Sequence, residues 1–242
     1  MSSLAIHDNK IYWLGDNAIY TISPPTIIFP LPTLWLRADA GVVKDGDDKV
    51  SQWQDQSGND YHAIQGVQAD KPLLVNSGLN GKPVLRFDND FLIAEIGQIP
   101  QPVTAFVVWN KNNTTAGLAW DGIQQEFYFG SLSIPPVSMT MRSGIFLSQP
   151  YDSPFDYVLN SCVYNTSNSK LYSNGILGAS GNVGSNILDG LRIGSRRNNS
   201  WWLVGDIAEI IFYNSLLSDP QRQSVENYLM AKYALWNTTK PQ

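Results

Sequence analysis

The richest concentration of recognition chemistry in the chain is Arg196-Arg197-Asn198-Asn199-Ser200-Trp201-Trp202. Indole faces stack on sugar rings, while amide and guanidinium donors bond the hydroxyls around them. That reading makes Arg196, Arg197, Asn198, Asn199, Trp201 and Trp202 a glycan-binding loop. The competing reading is purely architectural: Trp202 begins the strand into Gly205 and fills the core, with Trp201 half exposed. Trp120-Asp121 with Tyr128, and Tyr151 with Asp152, are further loop candidates of the same kind.

A second type of chemistry is cation binding. Asp45, Asp47 and Asp48 cluster in one loop, and Asp88 and Asp90 are spaced for one strand face. Hard oxygen ligands suit calcium, yet Asp45-Gly46-Asp47 lacks the ordered spacing of a helix-loop-helix calcium site. The alternative is a solvated acidic loop beside a polar strand end. No other cofactor is expected. Nucleophilic catalysis through a Ser-His-acid triad would need His7 or His62, the only histidines. The single Cys162 sits in an expected strand and reads as a small core residue, so neither a disulfide within the chain nor a cysteine zinc site is available. Asn112, Asn165 and Asn237 open glycosylation sequons that also read as simple Asn-rich loops.

These residues need elements to hold them. The 242 residues are 43% hydrophobic and 15% charged, enough apolar material for a full core. The net charge of −5 and a pI near 4.9 leave no basic footprint for nucleic acid or an anionic membrane. No apolar stretch is long enough to insert in a bilayer. Met1–Lys10 has no basic start followed by an apolar core, so no secretory signal is expected there.

Nineteen Gly and 14 Pro punctuate the chain into many short β-rich runs, the habit of an all-β sandwich or barrel. The clearest runs are Val84–Phe87, Val103–Trp109, Glu126–Phe129, Tyr157–Tyr164, Lys170–Ser173, Leu191–Gly194 and Ile207–Tyr213. In the last, apolar residues fall on both faces, as in a central strand covered on both sides. Asn174-Gly175 supplies the positive φ angles of a tight hairpin. Asp55 is placed to accept N–H bonds from Ser57 and Gly58 in an Asx turn beside a core-anchoring Trp53. Ser218-Asp-Pro-Gln221 predicts a capped helix to about Leu235, packed through Val225, Tyr228, Leu229 and the stem of Lys232.

Residues 1–32 read as an arm. Two β-rich runs around Gly15-Asp16-Asn17 predict a hairpin carrying Ile11, Tyr12, Trp13, Ile19, Tyr20 and Ile22, and prolines 24–32 predict an extended connector. A lone hairpin is marginal in water, so this one is expected to dock on something. Residues 33–242 form the main domain.

Leu34-Trp-Leu-Arg-Ala-Asp-Ala-Gly41, Trp53-Gln-Asp55-Gln-Ser57-Gly58-Asn59, Lys82-Pro-Val-Leu-Arg-Phe87, Leu171-Tyr-Ser-Asn174-Gly175 and Gly205-Asp-Ile-Ala-Glu209-Ile-Ile-Phe-Tyr213 occur in this order before the capped helix. Over about residues 33–236 this series resembles the laminin G-like branch of the concanavalin A-like lectin and glucanase superfamily. The resemblance implies an all-β jelly roll of two antiparallel sheets, with calcium in some relatives. It also implies the settings in which relatives occur, namely bacterial exported proteins and phage structural proteins. The glucanases of the superfamily carry a Glu-x-Asp-x-x-Glu strand. None of Glu95, Glu126, Glu209 and Glu226 starts that pattern, so their catalytic residues do not carry over.

The expected function is therefore non-catalytic binding. One form is an outer virion protein of a phage, either capsid decoration or a tail or fibre adhesin. It would dock on other virion proteins through the arm and work as a homo-oligomer or within a larger assembly. The other is a glycan-binding module of a bacterial exported protein, extracellular or on the cell surface, bound to cell-surface glycans.

Overall fold

A computed structural model describes residues 30–132, 138–150 and 156–235 in full, and the backbone of residues 3–7, 10–15 and 18–22. The chain divides into two compact units, residues 1–30 and 31–242. Tyr151 and Asp152, the Asn237 sequon and most of the proline connector lie outside the described residues.

The first unit is a three-stranded antiparallel sheet of β1 (Ser3–His7), β2 (Lys10–Gly15) and β3 (Ala18–Ile22), in that order. The expected hairpin is β2–β3, with Ile11 opposite Ile22, Tyr12 opposite Thr21, Trp13 opposite Tyr20 and Leu14 opposite Ile19. The sequence reading missed β1, because Ser3–His7 is short and polar at both ends, although Asp8-Asn9 before β2 is a turn signal.

The second unit starts with β4 (Leu34–Arg37), β5 (Val42–Lys44), β6 (Val50–Trp53), β7 (Ala63–Ile64), β8 (Leu73–Leu79), β9 (Lys82–Asp88) and β10 (Leu92–Ala94). There follow β11 (Val103–Lys111), β12 (Gly117–Asp121), β13 (Tyr128–Leu132), β14 (Ser138–Arg142) and β15 (Phe146–Pro150). The last strands are β16 (Val158–Tyr164), β17 (Ser169–Ser173), β18 (Ile176–Gly181), β19 (Leu191–Ile193) and β20 (Val204–Tyr213), before helix α1 (Asp219–Tyr233). They form two antiparallel sheets, one ordered β18-β17-β16-β11-β20-β9-β8 with β4 also on β20, the other β15-β14-β13-β12-β19-β10-β7-β6-β5. The inward side chains of both sheets, among them Trp53, Trp109, Trp120, Phe129, Ile193 and Phe212, make one continuous core. The architecture is a two-sheet β-sandwich with a C-terminal helix, as the sequence predicts.

Local signals explain how the strands are joined. Asn174 (φ 47°) and Gly175 (φ 78°) make the two-residue turn between β17 and β18. Asp55 accepts the N–H of Ser57 at 2.9 Å, but its second N–H comes from Tyr61 (3.1 Å) rather than Gly58, and it also takes the N–H of Trp35 (2.9 Å). This turn therefore ties β4 to the β6–β7 connection instead of only reversing the chain. Trp53 and Cys162 are fully buried, as expected.

β20 is buried from Gly205 to Tyr213, between β11 on one side and β9 and β4 on the other. A register shift opposite Val108 and Trp109 breaks the simple alternation, so Ile207, Ile210 and Phe212 reach the core. Glu209 faces α1 instead. There it accepts from Trp35 Nε1 (2.6 Å), Lys232 Nζ (2.6 Å) and Tyr233 Oη (2.8 Å).

The helix begins with a full capping box, Gln221 N–H to Ser218 Oγ and Ser218 N–H to Gln221 Oε1. It stops at Tyr233, where Ala234 takes a left-handed conformation (φ 51°). Val225 and Leu229 are buried as expected, whereas Tyr228 is only partly so. The buried face also holds Arg222 and Glu226, paired at 2.5 and 2.6 Å, with Ser161 Oγ donating to Glu226 at 2.7 Å. A buried charge pair with its carboxylate hydrogen-bonded is compatible with a packed helix face.

Candidate functional site

Gly194 ends β19 with φ 91° and opens a loop that Leu203 closes by donating its N–H to the Gly194 carbonyl (2.8 Å). A Cβ at Gly194 would stand 2.4 Å from Phe87 Cδ1, so only glycine fits this entry. The loop is pinched internally by Arg196 N–H to the Ser200 carbonyl (2.9 Å) and Asn199 N–H to the Arg196 carbonyl (3.1 Å). Asn199 and Trp201 both take left-handed backbone conformations, φ 57° and 48°. For a tryptophan that is strained, and the structure holds it by Leu118 N–H donating to the Trp201 carbonyl (3.1 Å).

The architectural reading of Trp202 is corrected. β20 starts at Val204, and the residue that enters the core is Leu203. Trp201 and Trp202 are both half-buried, on the outer side of the second sheet. Trp202 therefore neither begins the strand nor fills the core.

Each indole has its own cationic and aromatic neighbours. Trp201 meets the ring of Tyr128 edge-on, centroids 5.8 Å apart at 88°, and the Arg196 guanidinium carbon lies 4.3 Å from its ring centre. Trp202 lies 6.2 Å from Phe91, and the nearly buried Arg192 stands 3.5 Å over Phe91 and 5.7 Å from Trp202. Arg192 is fixed by Ser195 Oγ (2.6 Å) and Asn199 Oδ1 (2.7 Å). Asn198 is exposed and accepts from Ser200 Oγ (2.5 Å).

Beneath Trp201 the sheet supplies a charge cluster. Register places Tyr128, Arg142 and Phe146 side by side on β13, β14 and β15, alternating with inward Phe129, Met141 and Leu147. Glu126 accepts from Arg196 (2.6 Å) and pairs with Arg142 (2.7 Å) and Arg197 (3.4 Å), while Arg197 also reaches Asp121 (3.3 Å). Burial works to raise the Glu126 carboxyl, but the three guanidinium groups outweigh it and hold the carboxyl below its ordinary value. Asp121 is different: burial raises it despite Arg197. Tyr128 is pushed up to about 12 by burial, opposed by Arg142. The surroundings of Trp201 and Trp202 thus hold four arginines against two carboxylates, in a chain of net charge −5.

Sequence reasoning found the loop and missed Glu126, Arg142, Phe146, Arg192 and Phe91. No local pattern marks them, because sheet register and loop closure bring them in. Two of its other candidates are corrected. Trp120, Asp121 and Tyr128 are not loop residues open to a ligand but fully buried strand positions. Asp88 and Asp90 do not share a strand face, since β9 ends at Asp88 and Asn89 turns the chain with φ 60°.

The metal candidates make local structure. Asp45 accepts from the Asp47 and Lys49 N–H groups (3.0 and 2.9 Å) and from Gln68 Nε2 (2.6 Å). Asp48 pairs with Lys44, and the buried Asp90 accepts the Asp88 N–H (2.9 Å). Among the described residues no three His, Cys, Asp or Glu side chains are grouped to hold a metal ion. His62 Nδ1 accepts the Asp55 N–H (3.1 Å), a structural role.

The fold is a two-sheet antiparallel β-sandwich, with this loop and charge cluster on the outer side of its second sheet. No family model matches the sequence, and no curated protein matches it. Solved structures do. Domain 4 of AbnA, a GH43 extracellular arabinanase from Geobacillus stearothermophilus solved with arabinotriose, is similar over 78% of this chain and 95% of its own, with TM-score 0.53 and 12% identity. The ligand-binding domain of botulinum neurotoxin serotype D, solved with N-acetylneuraminic acid, matches over 83% of this chain and 51% of its own (TM-score 0.56, 16% identity). A Trypanosoma rangeli sialidase matches over 96% and 44% (TM-score 0.52, 12% identity). The chain spans about half the length of the toxin domain and less of the sialidase. At such identities the likeness is one of fold.

Proposed function

We propose that this chain is a non-catalytic glycan-binding module whose reading surface is the Arg196–Trp202 loop. The observation that carries the reading is Trp201, held in a strained left-handed conformation and half-buried between Arg196 and Tyr128. Strain of this kind persists where surrounding structure enforces it, and it presents here an aromatic face amid fixed donors. Three of the four glutamates are tied into ion pairs, Glu126 with arginines, Glu209 with Lys232 and Glu226 with Arg222, which leaves no free acid/base pair among them. The sugars bound in the similar structures, arabinotriose and N-acetylneuraminic acid, are the first probes to try. Titration of the full chain should show binding to one glycan class, weakened at least tenfold by Trp201→Ala with the circular dichroism unchanged. Unaltered affinity in that variant, or silence across a polysaccharide array, overturns the reading.

A second reading is supported by the separate N-terminal unit. Within that sheet β1 and β3 each pair on one side only, and such edges extend a partner's sheet. In this reading Ile11, Tyr12, Trp13, Ile19, Tyr20 and Ile22 belong to a docking arm on a larger particle, such as the exterior of a phage virion. The sandwich then faces outward and the chain is part of an oligomer. Light scattering of the full chain against a version starting at Thr33 tests it: assembly that survives the truncation refutes the arm.

A further inference from the structure

The outer face of the first sheet carries a cleft that the loop above does not use. It lies where the first turn of α1 crosses β16 and β17, with a volume of about 290 Å³. Because the sheets pack inner face to inner face, it opens on the side of the sandwich opposite Trp201. Its floor is Arg222, buried, with its guanidinium carbon 3.8 Å over the Tyr172 ring and its Nη1 held by Glu226. The buried Arg222 Nε has no hydrogen bond and stands 3.5 Å from the Asp219 carboxylate.

The rim is polar and unspent. Among the described residues the Lys170 ammonium and the side-chain amides of Asn165 and Asn168 have no hydrogen bond or ion pair, while Asp219 is largely exposed. Val163, Leu216 and Leu217 form an apolar wall, Leu216 half exposed.

We propose that this cleft is a second binding site, for one neutral polyhydroxylated ring of monosaccharide size. The cleft's two cations, Arg222 and Lys170, are matched in number by Glu226 and Asp219, which favours a neutral ligand. Hydroxyl groups both donate and accept, so they match a rim of free ammonium and amide groups beside the exposed Asp219 carboxylate, and a ring's C–H face matches the leucine wall. A volume of about 290 Å³ has room for one monosaccharide ring. The cleft stands whether or not Trp201 reads glycans, since no residue is shared.

The test uses the full chain and the methyl glycosides of glucose, galactose, mannose and arabinose, followed by saturation-transfer NMR and by amide shifts of ¹⁵N-labelled protein. We expect one glycoside to bind, moving the Asn168 and Lys170 amides. Lys170→Met, which removes no existing partner, should weaken it at least tenfold, and Leu216→Trp should block it. The proposal fails if none of the four binds, if the bound glycoside leaves the Asn168 and Lys170 amides unmoved, or if binding survives both cleft variants.

Discussion

Lys111 ends β11 fully buried, with its Nζ bonded to the Thr115 carbonyl. It packs by Gly117, where an added Cβ would sit 3.5 Å from its Cδ and 3.0 Å from the Trp202 carbonyl. The lysine thus underlies the tryptophan loop. Burial lowers its ammonium from 10.5 to about 8. That difference corresponds to about 3 kcal/mol of destabilisation at neutral pH, where folded and unfolded chains both carry the charge. Between the two values the unfolded chain binds the proton and the folded chain does not, so this group's penalty shrinks as pH rises. Lys111→Met keeps the stem and removes the charge. After loss of the Thr115 hydrogen bond, itself worth about 1.5–3 kcal/mol, the variant should be at least as stable as wild type at pH 7. The difference between the two should move in favour of wild type by about 2 kcal/mol from pH 7 to 9.5. Buried Cys162 and Tyr128, both raised, lower stability as the unfolded thiol and phenol ionise, but they do so equally in both proteins. Urea unfolding followed by tryptophan fluorescence at a series of pH values gives the difference directly. A difference independent of pH would refute a buried, charged Lys111.

Three further outcomes follow from the geometry. Glu209→Ala removes the buried acceptor shared by Trp35 Nε1, Lys232 and Tyr233 Oη, leaving Lys232 only Asp39, and should cost about 3–5 kcal/mol in urea unfolding, with α1 protected less in hydrogen exchange. Gly194→Ala combines a left-handed backbone with a 2.4 Å collision with Phe87, and should lower stability by about 2–4 kcal/mol and disturb the loop's tryptophan fluorescence. Ser218→Ala removes one half of the capping box and should cost about 1 kcal/mol, visible as a lower urea midpoint with an unchanged slope.

What the sequence determined by itself is what short range controls. The Asn174-Gly175 turn, the Ser218 cap, the Asp55 turn and the apolar run of β20 each depend on a few adjacent residues, and together they specify a sandwich with one helix. The Arg196–Trp202 loop was legible as composition. Its geometry was not, because Trp201 owes its exposure to the Leu118 bond and Trp202 lost the core to Leu203. Tertiary structure alone gathered Arg142, Phe146 and Glu126 under that loop, buried Trp120 and Tyr128, and turned the Arg222–Glu226 pair of α1 inward onto β16. The physical reason is sheet register: pairing strands distant in sequence chooses which side chains share a face, and a face assembled that way has no signature in any single stretch of chain.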